Sequence, residues 1–225
     1  MKIHKLETNP GIYSSNAYLI LGDWNKLEDI NALVDTGSDP FIQGHIKRIN
    51  TGVGKVQLDK IILTHTHFDH IGGVDILQKL YGCHVLAYTK YIEKIRLIHD
   101  GEILHLGDNY FEVIHAPGHS SDSICLYNKS EGILFSGDTQ IRINSTDGTY
   151  TPEFVNTIKR LAELKISIIY PGHGDPLKEN PEGVLQNTLK TVEQSRIYSP
   201  QLKNDFFNSS QTKKKKFNYA FSGIE

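Results

Sequence analysis

The sequence predicts an α/β fold, and two features of the chain predict it. Short apolar runs with strand character alternate with stretches whose apolar residues recur at helical spacing. Four of the apolar runs end in loops that carry histidine or aspartate, usually beside glycine, and loops of this kind can gather functional groups at one edge of packed sheets.

Taken in order, residues 3–7, 17–21 and 32–34 read as strands, separated by the turn signals Asn9-Pro10-Gly11 and Gly22-Asp23, which makes the first third antiparallel β material. A helical stretch covers 41–50. The apolar run Ile61-Ile62-Leu63 leads into Thr64-His65-Thr66-His67-Phe68-Asp69-His70, after which Ile71, Val74, Leu77, Leu80 and Tyr81 recur at helical spacing. Gly72 and Gly73 open that helix without Cβ atoms, so it can pack closely under the loop. Residues 84–87 read as a strand, 90–98 as a helix, and 103–106 and 110–114 as strands, the last running into Ala116-Pro117-Gly118-His119. A hairpin of 124–127 and 133–135 ends in Ser136-Gly137-Asp138-Thr139. A helix over 152–164 precedes a strand over 166–170, which runs into Pro171-Gly172-His173-Gly174. The last helix, 181–198, has Val184, Leu185, Leu189, Val192 and Ile197 as its apolar face. From 201 to 225 the chain is polar, with Lys213, Lys214, Lys215 and Lys216 followed by Phe217, Tyr219 and Phe221. The lysines read as a solvated tail and the aromatics as residues that could dock back as a strand. The domain division is therefore 1–200 for one folded domain and 201–225 for a lysine-rich tail.

The segment from His65 to His70 holds three imidazoles and a carboxylate in six residues. His65 and His67, two apart in an extended segment, project to one side. Neutral imidazole and carboxylate are ligands of zinc and similar first-row ions, and one ion takes only three or four of them. With His119, Asp138 and His173 from the other loops the candidates are His65, His67, Asp69, His70, His119, Asp138 and His173, more than one ion can hold. Two ions sharing one carboxylate, about 3.5–4 Å apart as in two-metal hydrolytic sites, would use them all.

Asp35-Thr36-Gly37-Ser38 ends the third strand and resembles an aspartic-protease signature, but that chemistry needs two such carboxylates sharing a proton and only one copy is present. Asp35 reads better as the acceptor of the free ring N–H of a metal-bound histidine, fixing its tautomer.

Bulk composition narrows the setting. A chain of 225 residues with 38% hydrophobic and 22% charged residues is an ordinary soluble globular protein, and a net charge of −2 gives no general attraction to nucleic acid or anionic membrane. No apolar stretch approaches the ~20 residues of a membrane span, and the N-terminus lacks the apolar core of a signal peptide. A cytoplasmic protein without a membrane partner is expected. Cys83 and Cys125, in apolar surroundings without CxxC spacing, read as buried free thiols.

The ordered motifs HxHxDH, Pro-Gly-His, Ser-Gly-Asp-Thr and Pro-Gly-His, with Asn16-Ala17-Tyr18-Leu19 and Val34-Asp35-Thr36-Gly37 before them, are similar to the metallo-β-lactamase superfamily, over residues 3–175. The closest resemblance is to its glyoxalase II (hydroxyacylglutathione hydrolase) branch. That resemblance implies a four-layer αββα sandwich with the metals at one edge. It implies that His65, His67 and His119 hold one ion, that Asp69, His70 and His173 hold the other, and that Asp138 bridges them. The ions implied are divalent, Zn2+ first, with Fe or Mn as alternatives. Penicillin-type members have a cysteine at the bridging position, where this chain has Asp138.

Water held between two cations loses a proton near neutral pH, and the same cations polarise a carbonyl and stabilise the oxyanion. Asp69 is placed to take the proton, which makes it the catalytic residue. The expected activity is hydrolysis of a small-molecule thioester or similarly activated acyl compound. The alternatives on the same motifs are a lactonase, a phosphodiesterase, a mono-iron persulfide dioxygenase or a metal-stabilised binding module without turnover. Ile141 stands where related lactonases place a tyrosine, and the segment after His173 does not match the basic and tyrosine pattern that grips glutathione. Nucleic acid is not an expected partner, since only the lysine tail points to it.

Overall fold

In the computed structural model, which describes residues 1–198 except 8, 10, 40, 92 and 93, the apolar runs build two sheets. The first contains β1 (Lys2–Lys5), β2 (Tyr18–Leu21), β3 (Ala32–Val34), β4 (Lys60–Ile62), β5 (His84–Ala87) and β6 (Ile95–Leu97), side by side in that order. β1 to β3 pair antiparallel and β3 to β6 pair parallel. The second contains β7 (Ile103–Leu106), β8 (Asn109–His115), β9 (Ile124–Asn128) and β10 (Ile133–Gly137), a meander of antiparallel neighbours. Next in the chain come β11 (Thr149–Tyr150), β12 (Ile168–Pro171) and β13 (Arg196–Ile197). β12 extends the second sheet parallel to β10, while β11 and β13 pair as a separate ribbon.

The helices are α1 (Ile42–Arg48), α2 (Phe68–Ile71), α3 (Val74–Tyr81), α4 (Pro152–Ala162) and α5 (Pro181–Gln194). Both long C-terminal helices begin with proline in the first turn behind a capping residue: Thr151 Oγ1 accepts from the Phe154 N–H at 3.2 Å, and Asn180 Oδ1 from the Gly183 N–H at 3.1 Å.

Period-two alternation assigns the layers. In β2, Tyr18 and Ile20 turn toward the second sheet and meet Phe111, Val113, Leu126 and Phe135, forming the inter-sheet core. Leu19 and Leu21 turn the other way and pack with Ile61 against Ile42 and Ile46 of α1 and Val74 and Leu77 of α3. The outer face of the second sheet, with Ile114, Cys125, Leu134 and Ile169, is covered by Leu161 of α4 and Leu185 of α5. The result is the expected four-layer αββα sandwich. Strands buried on both faces explain why β2, β9 and β10 read as continuous apolar runs. Cys83 and Cys125 are buried and unpaired, in agreement with the sequence reading.

Three local expectations need correction. Within 90–98, residues Ile95–Leu97 form a strand, not part of a helix, because they complete the parallel edge beside β5, with Val85 opposite Ile95 and Ala87 opposite Leu97. The helix after the histidine motif is two helices: Gly72 and Gly73 interrupt it, and a Cβ at Gly72 would lie 2.8 Å from Ser38 Cα. Leu80, assigned to its apolar face, is exposed. The last helix ends at Gln194, where Ser195 turns extended and lets Ile197 pair in β13, exposed and away from the apolar face. The lysine-rich tail and the docking of its aromatics lie outside the described residues. No helix among the described residues is long and apolar enough to cross a membrane.

Candidate metal centre

The two sheets present their loops along one edge, and seven side chains from four loops meet there. The first loop is fixed by Asp35, which ends β3 with a left-handed φ of 56° that aspartate tolerates better than most residues. Its Oδ1 accepts from the Thr64 N–H at 2.8 Å, and its Oδ2 from Thr64 Oγ1 and from His70 Nδ1, each at 2.8 Å. Donation through Nδ1 leaves His70 Nε2 as the ring nitrogen that faces the cluster and can take a metal ion. Thr36 completes the clasp: its Oγ1 donates to the His70 carbonyl at 2.9 Å and accepts from the Gly73 N–H at 2.9 Å.

The other loops are tied to this one. Asp122 Oδ2 accepts from the Thr66 N–H at 3.0 Å and from Thr66 Oγ1 at 2.7 Å, while its Oδ1 accepts from Ser120 Oγ at 2.7 Å, so the turn bearing His119 is locked to the His65–His67 segment. Gly137, with φ 49°, brings the Asp138 turn against Thr64, where a Cβ would sit 2.7 Å from Thr64 Cβ. The His173 turn is held from the first sheet: Asn16 Nδ2 donates to the carbonyls of Pro171 and Gly174 at 2.9 and 2.8 Å, and the Tyr18 hydroxyl donates to Pro171 at 2.7 Å. A Cβ at Gly172 would overlap Asp138 Oδ1 and stand 2.9 Å from His70 Cε1.

Within this frame the donor atoms form overlapping groups whose members lie within 4.8 Å of one another: His65 with His67 and His119, Asp69 with His70 and His173, and His65 with His70 and Asp138. Asp138 lies between the outer groups, with Oδ2 3.5 Å from both His119 Nε2 and His173 Nε2 and Oδ1 3.3 Å from His70 Nε2. His119 Nε2 and His67 Nδ1 face each other at 2.9 Å, and Asp69 Oδ2 is 3.1 Å from His173 Nε2.

Buried polar atoms in folded proteins almost always find a partner, and those left without one need a reason. Here His65 Nε2, Asp69 Oδ2, His70 Nε2 and Asp138 Oδ1 are all buried without a hydrogen bond. His70 Nε2 and Asp138 Oδ1 lie 3.3 Å apart without a hydrogen bond between them. Four buried atoms without partners, from imidazole and carboxylate and gathered in one cluster, fit divalent cations, which displace imidazole protons on binding. Charge supports the same reading. Burial first, and the neighbouring His70, push His65 down to about 4, so it is the neutral ligand form at pH 7. Burial also opposes charge on His70, but Asp35 and Asp138 outweigh it and raise the imidazole to about 10, so Nε2 carries a proton that a metal ion would displace while Asp35 retains the one on Nδ1. Burial would raise Asp138, yet the neighbouring His70, 3.3 Å from its Oδ1, holds it down at about 2. The cluster thus carries a carboxylate that already draws in a positive charge.

All seven sequence-nominated side chains are in this cluster, and Asp35 takes the supporting place expected of it. Asp122, Asn16 and Tyr18 were missed as site residues. The only local signal for Asp122 is its position three residues after His119 in a serine-rich turn. Beside the cluster, exposed Tyr13 stacks on His173 with ring centroids 5.5 Å apart, and Phe68 stands 6.1 Å from Tyr13, giving the site an aromatic rim.

Residues 10–99 and 86–173 match the family model described as the metallo-beta-lactamase superfamily. A hydroxyacylglutathione hydrolase from Pelagibacter ubique is 29% identical over 164 residues, covering 70% of this chain and 65% of that protein. An atrochrysone carboxyl ACP thioesterase from Aspergillus fumigatus is 26% identical over 206 residues, covering 86% of this chain and 49% of that protein. The chain spans about half to two thirds of the length of the curated relatives it matches. Among solved structures, ETHE1 from Myxococcus xanthus superposes with a TM-score of 0.64 at 20% identity, covering 85% of this chain and 88% of that one, a likeness of fold.

Proposed function

The chain belongs to the metallo-beta-lactamase superfamily, and from that premise we propose that it is a dinuclear metal-dependent hydrolase of thioesters or similarly activated acyl compounds. The observation that carries this reading is the convergence of seven donors, four of them with buried unpartnered atoms and three, His119, Asp138 and His173, also lining a cleft. The names of two relatives, a thioesterase and a hydroxyacylglutathione hydrolase, support the acyl class.

In this reading His65, His67 and His119 would hold one ion and Asp69, His70 and His173 the other, with Asp138 serving both. Bound there, two divalent ions, zinc in the first instance, supply water activation near neutral pH and polarisation of the scissile carbonyl. The Asp69 carboxylate, beside the donors of the second ion, would take up the proton released as water attacks. Asp35 keeps the His70 proton on Nδ1, and so keeps Nε2 turned to the centre. Asp122 and Asn16 act through the loops they hold, and Tyr13 and Phe68 exclude water at the rim. We assign this chemistry to a domain of residues 1–200, with 201–225 dispensable for it.

The test is metal content per chain of the purified protein together with turnover of a thioester, a lactone, a phosphodiester and a persulfide. Two ions per chain and preferred hydrolysis of the thioester are expected. One iron per chain with oxygen uptake on the persulfide would overturn the reading.

A further inference from the structure

A cleft of about 800 Å3 is lined by His119, Asp138 and His173 of the donor cluster and by the segment following Asp138. We propose that Arg142, in that segment, is a specificity-determining residue that binds a carboxylate or phosphate carried by the acyl thioester away from its scissile carbonyl. The proposal rests on the acyl-hydrolase reading above and narrows it to anionic substrates.

The segment is built to present polar side chains. Ile141 and Ile143 are buried, and Thr188 of α5 anchors them, donating from Oγ1 to the Ile141 carbonyl at 2.7 Å and accepting from the Ile143 N–H at 3.1 Å. Gln140, Arg142 and Asn144, which alternate with these isoleucines, are exposed, and all five residues line the cleft that also reaches His119, Asp138 and His173. Burial of the isoleucines thus holds the segment to the domain, while the polar side chains between and beside them stay free to meet a ligand.

Arg142 is the only Lys or Arg among the residues lining that cleft. Arg96, Lys159 and Arg160 are each held by a carboxylate, from Glu102, Glu193 and Asp100 respectively, whereas Arg142 has no carboxylate partner among the described residues. The two acids in the cleft wall do not serve it: Asp138 lies among the donors, and Asp175 faces Lys5 Nζ at 3.4 Å. A guanidinium fork without a partner pairs bidentately with carboxylate or phosphate. The cleft volume is within the ~300–1,000 Å3 of small-molecule sites, so the carbonyl can lie at the donors while another part of the same molecule lies along the segment.

The experiment compares kcat/KM of the full metal-loaded chain on two matched pairs. Butanoyl-pantetheine and butanoyl-phosphopantetheine differ by a phosphate on the thiol side. Butanoyl-pantetheine and succinyl-pantetheine differ by a carboxylate on the acyl side. The anionic member of at least one pair should be favoured by about tenfold to hundredfold, the range of a hydrogen bond to a charged group, and the responding pair identifies the source. Arg142→Gln should bring that ratio close to one, chiefly through KM, and Arg142→Lys should keep part of it. Because Arg142 is exposed, both variants should melt with the wild type. Ratios near one in the wild type, or a preference that survives Arg142→Gln, overturn the proposal. If no thioester turns over, the acyl-hydrolase reading fails and binding decides the anion site alone. Phosphopantetheine and succinate are then titrated calorimetrically: binding at least about tenfold weaker in Arg142→Gln supports the site, by the same charged-pair range, and equal or absent binding in both proteins overturns it.

Discussion

Replacing Asp35 by Asn tests how far the buried clasp controls the donor cluster. Asp35 is 2% exposed and accepts three hydrogen bonds, two through Oδ2 and one through Oδ1. Asparagine keeps the shape but turns one acceptor into a donor. With the amide nitrogen in place of Oδ2, the His70 Nδ1–H loses its acceptor. The imidazole then favours a proton on Nε2, the nitrogen that faces Asp69 and Asp138. With the nitrogen in place of Oδ1, it meets the Thr64 N–H donor to donor, where the original bond was 2.8 Å. Either arrangement leaves a buried group unsatisfied at a cost of about 1–3 kcal/mol. For a chain of this size that lowers Tm by about 2–12 °C. Partners of metal-binding histidines typically contribute about 10–100-fold in metal affinity. Metal titration of the apoprotein should therefore show the Asp69–His70–His173 step weakened by that factor, with the His65–His67–His119 step little changed. A variant that melts early yet takes up both ions like the wild type would show the clasp to be a structural feature without influence on the centre. One unchanged in both respects would refute the tautomer argument outright.

Three further outcomes are expected. Asp69→Asn should lose kcat on the best acyl substrate by about 10²–10⁴-fold, the range of general-base catalysis, while the ion on His65, His67 and His119 stays bound; near-normal kcat with full metal removes Asp69 from proton transfer. Gly172→Ala places a methyl group over Asp138 Oδ1 and 2.9 Å from His70 Cε1, so it should reduce metal content with a fold that is retained by circular dichroism, and full metal loading would contradict the packing argument. Truncation after Tyr198 should leave acyl hydrolysis and Tm close to those of the full chain, and a large drop in Tm would place the aromatics around Phe217 on the domain.

The donors were legible because their signal is local and dense. Three imidazoles and a carboxylate in six residues, then single donors at three strand ends, need no knowledge of topology. Asp35 was legible for a related reason: it ends an apolar run in a turn, where a carboxylate has few other uses. Asn16, Tyr18 and Asp122 were not, because their partners lie 155, 153 and 56 residues away, and a polar residue beside a strand has many ordinary roles. The strand at Ile95–Leu97 was misread because Ile95, Leu97 and Ile98 suit either period, and only the free edge of β5 decides between them. Ile197 failed for the opposite reason. Its spacing continues the apolar face of α5, but the chain turns extended at Ser195 and pairs with β11.

The missed residues share a geometry that bears on mechanism. Asn16 and Tyr18 belong to the first sheet side and hold the His173 turn of the second. Asp122 belongs to the second and holds Thr66 of the first, and the Ile124 N–H donates to the Thr64 carbonyl across the same seam at 2.8 Å. The donor sets are divided along the same line, since His119, Asp138 and His173 come from the second sheet and the histidine motif from the first. A slide of one sheet over the other would move one half of the donor set against the other half, so hydrogen bonds crossing the seam constrain the one motion the inter-sheet apolar core resists least. Apolar contacts are non-directional and tolerate a small slide; a carboxylate accepting two bonds from Thr66 does not.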